Sequence, residues 1–205
     1  MGSKDLKRLS LVELDVNQPV WPHFFTVAPL ILVGTREKGG YDLAPKHMAT
    51  PLGHDNYFGF VCTPRHGTYR NAEREKAFTV SFPRPEQVVL ASLAASPRCG
   101  DERSEKPVID ALPTVMAPQI DAPFIVDGYL FFECQLDRIV DGFGEYSLIC
   151  GQIIGAYVDE DSHRSADRSE QEMIFQAPLL AYLANGRFAK IDRSNAFPFP
   201  AGFKI

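Results

Sequence analysis

The chain has 205 residues, 45% apolar and 23% charged, with a formal net charge of −5. That composition is ordinary for a globular protein and excludes wholesale disorder; the length suits one domain over residues 1–205. An acidic chain with no dense Lys/Arg run is not built to displace counterions from a polyanion, so a general nucleic-acid partner is excluded.

The apolar stretches are strand-length, too short for a helical membrane span. Residues 1–8 lack the apolar core of an export signal, and Leu6 stands where a myristoylation signal needs Ser or Thr. Cys62, Cys99, Cys134 and Cys150 form no C-x-x-C pair. A cytoplasmic protein with reduced thiols is expected.

In chain order, residues 28–36 form a continuous apolar run that predicts a strand buried on both faces, and 57–63 predicts another. Between them, Pro45 and Pro51 are expected to limit strand pairing and leave backbone polar groups available. Thr68 reads as a helix N-cap, with Asn71 three residues on and a charged turn over 73–76. Residues 77–82 alternate as a strand stopped by Pro83, and 86–95 read as an amphipathic helix.

Residues 96–106 are polar and charged, a surface excursion or short helix. Strands follow at 114–116, 129–140 and 146–158, the last two joined into a long hairpin by a turn over 141–144. Residues 159–169 read as a hydrophilic mobile loop, 178–183 as a short element and 187–191 as a closing strand. Many strands with few short helices predict a mainly β, barrel-like architecture.

Several chemistries are absent from the sequence. There is no Walker loop, H-E-x-x-H or G-x-S-x-G motif, and the Gly142-x-Gly144 pair continues to Ser147 where a Rossmann loop needs Gly or Ala. The histidines share no metal-ligand spacing with a cysteine or carboxylate, so no metal site is expected. A nucleophile triad has no local signature either. What stands out is a set of cations, hydroxyls and an expected helix N-terminus between Thr35 and Asn71: Lys46, His47, Thr63, Arg65, Thr68 and Asn71 among them. Such a set suits a phosphate-bearing ligand, although a solvated loop beside an ordinary capped helix has the same composition.

Residues 29–35 followed by Asp42-Leu43-Ala44-Pro45, then Thr68-x-x-Asn71 and Phe78-x-Val80-Ser81, then 118–123, 133–136 and 148–158, and lastly 178–180 with 186–188, stand in an order that resembles the flavin reductase-like family of FMN-binding split barrels, nearest its flavoredoxin and ferric-reductase-like members. The likeness covers roughly 24–191, with Asp42 where the family usually has Asn, His47 near a common Ser and Ser81 for a common Asn.

The resemblance implies a split β-barrel binding FMN, with no catalytic nucleophile because the cofactor carries the chemistry. Backbone groups from Asp42, Leu43, Ala44 and Pro45 to Lys46, His47 and Met48 would line the flavin, near Thr35. Thr63, Arg65, Thr68 and Asn71, with Lys46, would hold the ribityl chain and phosphate, and Lys46 and His47 could supply charge there. Tyr69, Trp21, Phe24 and Phe25 are candidates for stacking on the ring.

It further implies a homodimer, with extensions 1–23 and 192–205 against the partner. The activity implied is reduction by NADH or NADPH and delivery of electrons to free flavin, iron or a protein acceptor. Two alternatives are an FMN electron carrier without NAD(P)H activity and a split barrel binding heme or nothing.

Overall fold

A computed structural model describes residues 9–95, 112–165, 167–184, 186–200 and 202. The expected excursion at 96–106, with Cys99, lies outside them.

The strands are β1 (Val27–Pro29), β2 (Ile31–Glu37), β3 (Gly40–Lys46), β4 (Ala49–Pro51), β5 (Tyr57–Cys62), β6 (Ala77–Phe82), β7 (Thr114–Met116), β8 (Pro123–Ile125), β9 (Leu130–Phe143), β10 (Tyr146–Val158), β11 (Leu179–Leu183) and β12 (Arg187–Ile191). Among the described residues, three short helices are α1 (Gly67–Glu75), α2 (Val88–Leu93) and α3 (Glu170–Gln176). Seven strands make one antiparallel sheet in the order β3-β2-β6-β9-β10-β5-β4. Its two edges are consecutive in the chain, joined only by His47 and Met48. So short a link spans at most about 11 Å, so the sheet must curl until its edges approach. This is the split barrel expected from the sequence. A second sheet, β1-β11-β12, lies by that seam: β1 contacts β4, and Tyr182 of β11 stacks on His47.

Inside the curl lie Ile31, Val33, Phe58, Phe60, Phe78, Val80, Cys134 and Ile149. Phe60 meets Phe78 edge-on at 5.2 Å and 82°, a geometry worth about 1 kcal/mol beyond area burial. Gly151 is required opposite them, since a Cβ there would fall 2.5 Å from the Phe78 ring. Leu32 and Leu43 point to the other side of the sheet and pack with Ala91 and Ala94 at the end of α2 and with Leu112 and Ile125. Burial pushes the Cys134 thiol up to about 12, and Cys62, Cys134 and Cys150 are all free and buried.

Four local expectations change. The run at 28–36 breaks at Leu30 into β1 and β2, which feed different sheets. Pro45 and Pro51 lie within paired strands, opposite Leu32 and Phe58; β3 and β4 are the sheet edges, where a missing N–H faces no neighbouring strand. The long hairpin turns at Gly144 and Glu145, because β9 runs on to Phe143 with Gly142 at φ 104° absorbing the irregular register. The loop at 159–169 holds a 3-10 turn (Glu160–Ser162) tied by Arg84 to Asp159 at 2.8 Å.

Candidate functional site

The cross-strand pair Thr35 and Asp42 lies next to the middle of the β2–β3 ladder, on the side of the turn, and both side chains are buried. Above it, Thr68 and Asn71 project from one face of α1, as a spacing of three requires. Asn71 Nδ2 donates to Thr35 Oγ1 at 3.1 Å, and Thr68 Oγ1 donates to Asp42 Oδ2 at 3.5 Å. Two helix residues thus close on two strand residues, and α1 is fixed to the barrel by buried, satisfied polar groups. Leu43 and Ala44 are buried as well, so their side chains belong to packing.

The helix begins two residues earlier than expected. His66 is the N-cap, without a side-chain capping bond, and Thr68 is the second helical residue, turned inward. A Cβ built on Gly67 would lie 3.7 Å from Glu37 Oε1 and 3.9 Å from Asp42 Oδ2. The first turn of α1 is therefore faced by the protein's own carboxylates, which suit its positive end. The expectation that this helix end opens onto a phosphate must be narrowed to the residues just before it.

Those residues gather at the barrel seam. Lys46 ends β3, His47 and Met48 cross to β4, and Cys62 ends β5 before Thr63, Arg65 and His66. Cys62 Sγ lies 3.8 Å from His66 Nδ1. Burial raises the Cys62 thiol, partly offset by the Lys46 ammonium beside it. Thr63 is buried, and its Oγ1 accepts from the Arg65 amide at 3.4 Å.

Pro45 and Lys46 are half-buried and Met48 is 49% exposed, so this edge is open. His47 stacks on Tyr182 with ring centres 4.4 Å apart. Burial first, and the Lys46 charge second, hold its imidazole below the usual 6.5. Cationic charge at this end of the cleft therefore falls to Lys46.

A cavity of about 400 Å³ continues from Thr63 and Arg65 to Tyr69 and the hairpin tip at Asp141 and Glu145. Arg65 pairs with Glu145 at 2.8 Å, both largely exposed, so the guanidinium can exchange this partner at small cost. Ser147 Oγ donates to Asp141 Oδ1 at 2.6 Å. The Tyr69 ring is 8% exposed, and burial, then Asp141, raise its phenol. Of the other expected aromatics, Trp21 and Phe24 meet at a 60° tilt, 60% and 38% exposed, and Phe25 is exposed too.

The candidates thus divide into a buried lock (Thr35, Asp42, Thr68, Asn71) and an open cleft (Lys46, His47, Met48, Thr63, Arg65). Tyr182, Cys62 and His66 complete the cleft without having been among the expected ligands. His66 adjoins Arg65 in sequence, but only the seating of the second sheet brings residue 182 to residue 47. Among the described residues no group of His, Cys, Asp and Glu could hold a metal ion, and no helix is long and apolar enough to cross a membrane.

The flavin reductase like domain model matches residues 25–191. No curated protein matches the chain. Among solved structures, flavoredoxin from Methanosarcina acetivorans shares 17% identity over 93% of this chain and 96% of that one, with a TM-score of 0.71. Flavoredoxin of Desulfovibrio vulgaris (Miyazaki F) shares 20% over 94% and 100%, TM-score 0.73. Nitrilotriacetate monooxygenase component B from Bacillus cereus shares 17% over 91% and 98%, TM-score 0.75. At these identities the structural likeness establishes the fold.

Proposed function

This chain belongs to the flavin reductase like family, a flavin-related oxidoreductase family, and we propose that it binds FMN at the barrel seam as an NAD(P)H-dependent flavin reductase. The observation that carries the reading is that Lys46, beside Cys62, stands next to the segment holding the buried Thr63 and the exposed Arg65 in an acidic chain. A dianionic phosphate needs cations and hydroxyl donors, and this donor set fits it.

Lys46 and Arg65 would neutralise the phosphate, and Thr63 Oγ1 would donate to it. The strand edge from Pro45 to Met48, with the Met48 thioether and the His47–Tyr182 stack, would hold the flavin ring. The buried lock holds β2, β3 and α1 in register, which fixes the position of that edge. Bound FMN would supply the two-electron chemistry, accepting hydride from NADH or NADPH and passing electrons to free flavin, iron or a protein acceptor. The chain's own part is binding, orientation and exclusion of water.

The protein acts as a cytoplasmic homodimer. Val12, Val16, Trp21 and Phe25 on one arm, and Phe197 and Phe199 on the other, are exposed apolar groups that a partner subunit would cover. A second reading, an FMN electron carrier without NAD(P)H activity, draws support from likeness to the two flavoredoxins.

The test begins with the visible spectrum of purified protein after FMN addition and gel filtration. Retained yellow colour is expected, with affinity falling by more than about 100-fold in the Lys46→Ala/Arg65→Ala double variant, since each charged hydrogen bond is worth roughly 1.5–3 kcal/mol. Unchanged affinity would remove the phosphate assignment. Stopped-flow mixing with NADH and NADPH then separates reductase from carrier.

A further inference from the structure

A second cavity, of about 430 Å³, opens at the base of the β9–β10 hairpin, where Leu130 pairs with Val158. None of the seam residues lines it. The hairpin tip that carries Glu145 to Arg65 is roughly 40 Å away along β9, at about 3.3 Å per residue.

Three of the cavity's walls matter most, beside Leu179 of β11 and the loop that carries Ser162 and Arg164. The hairpin base supplies Tyr129, Leu130 and Val158; α3 supplies Met173 and Ile174; the segment after β12 supplies Ser194 and Asn195. The third wall is stapled in place by one side chain. Gln171 Oε1 accepts from the Ser194 amide at 2.6 Å and from Ser194 Oγ at 3.2 Å, while its Nε2 donates to the Asp192 carbonyl at 3.4 Å. The helix is itself started by Ser169, whose Oγ accepts from the Glu172 amide at 3.4 Å.

The lining chemistry is selective. Its floor is apolar, with Met173 and Ala177 buried. At the rim the Arg164 guanidinium is paired with Glu170, both largely exposed, so its charge stays in solvent, away from the buried apolar floor. Arg84, near Tyr129, is likewise paired with Asp159. The Tyr129 ring packs against Phe82 at 5.8 Å, and its hydroxyl has no hydrogen-bond partner among the described residues. Burial pushes that phenol up to about 12, so it is a neutral donor throughout the physiological range.

We propose that this cavity binds a one- or two-ring apolar compound carrying an uncharged hydrogen-bond acceptor, such as a ketone, ester or amide carbonyl, with the acceptor on Tyr129. The volume is at the small end of the range for small-molecule pockets, about 300–1,000 Å³, which limits the ligand to that size. A mostly apolar lining with a few convergent polar groups is the usual form of such a site. The site is separate from the seam cleft and does not depend on what the cleft binds.

The experiment titrates 2-acetonaphthone into the full-length protein by calorimetry, with excess FMN present and no reductant. Saturable binding is expected. Tyr129→Phe should weaken it about 3- to 10-fold, the worth of one neutral hydrogen bond. 2-Ethylnaphthalene, which keeps the rings and lacks the carbonyl, should bind wild type and Tyr129→Phe alike. Ile174→Trp, which fills the cavity, should abolish binding of both; Ser194→Trp on the exposed wall gives the same test if the first variant does not fold.

Absence of saturable binding up to the probe's solubility limit overturns the proposal. So does binding that survives a folded Trp variant, or an acceptor preference indifferent to Tyr129→Phe.

Discussion

The buried lock and the open cleft lie on neighbouring stretches of chain, along β3 and around the start of α1, yet they use polar residues in opposite ways. In the lock, Asn71 and Thr68 spend their donors on Thr35 and Asp42, away from water. In the cleft, Lys46 keeps part of its surface in solvent and Arg65 holds only an exposed counterion. Polar groups thus stabilise the fold in one place and remain exchangeable in the other, and what separates them is position: the lock lies beneath α1, the cleft where β3 ends and in the segment before the helix.

Substitution in the lock should produce the largest effects on stability. Asp42→Ala strands the Thr68 hydroxyl and removes a carboxylate facing the first turn of α1, so a loss of roughly 2–3 kcal/mol is expected in urea unfolding. Ligand affinity should fall with it, since the seam edge of β3 loses its support. Asn71→Ala leaves only Thr35 Oγ1 without its donor and should cost about 1–2 kcal/mol. If either variant kept full stability while losing FMN, the lock would be a ligand-binding group and the division drawn here would fail.

The cleft should behave differently. Glu145→Ala releases Arg65 from an exposed pair, and exposed pairs contribute about 0–1 kcal/mol, so the unfolding midpoint should hardly move. If Arg65 holds a phosphate, FMN affinity should rise slightly at low ionic strength and lose that gain in high salt, where exposed charges are screened. A fall in affinity would show that Glu145 organises the cleft.

How much of this was legible before the fold was known follows the same division. Alternation and turn residues placed β6, β7, β10 and β12, because sheet faces are set by a two-residue period that a single chain displays. Thr68-x-x-Asn71 was readable as one helix face, but the sequence cannot say whether that face looks in or out. It looks in, because β2 and β3 offer Thr35 and Asp42 directly across from each other.

Pro45 and Pro51 misled for a related reason: proline forbids a central strand, and whether a strand is central depends on sheet order. α3 had a readable start in Ser169-x-x-Glu172, the pattern of a capping box, although the hydrophilic stretch before it drew attention to a loop. The seam itself is a long-range event. Nothing local in residues 47 or 182 announces that the second sheet will seat them together.

The smallest expected effect comes from that contact. His47 is packed against Tyr182, and burial with the Lys46 charge holds its imidazole below the usual 6.5. In the unfolded chain it titrates near 6.5. As pH falls below that value the unfolded state takes up a proton that the native state refuses, so stability present above about 6.5 is lost on the way down to the lowered native value. His47→Gln cannot titrate and should flatten this slope. Urea midpoints at pH 7.5 and 5.5 should therefore differ less for the variant than for wild type, with only a small change at pH 7.5. An undiminished slope would mean that His47 leaves the stack and titrates as an exposed histidine, and the seam would then be a looser contact than the Tyr182 geometry implies.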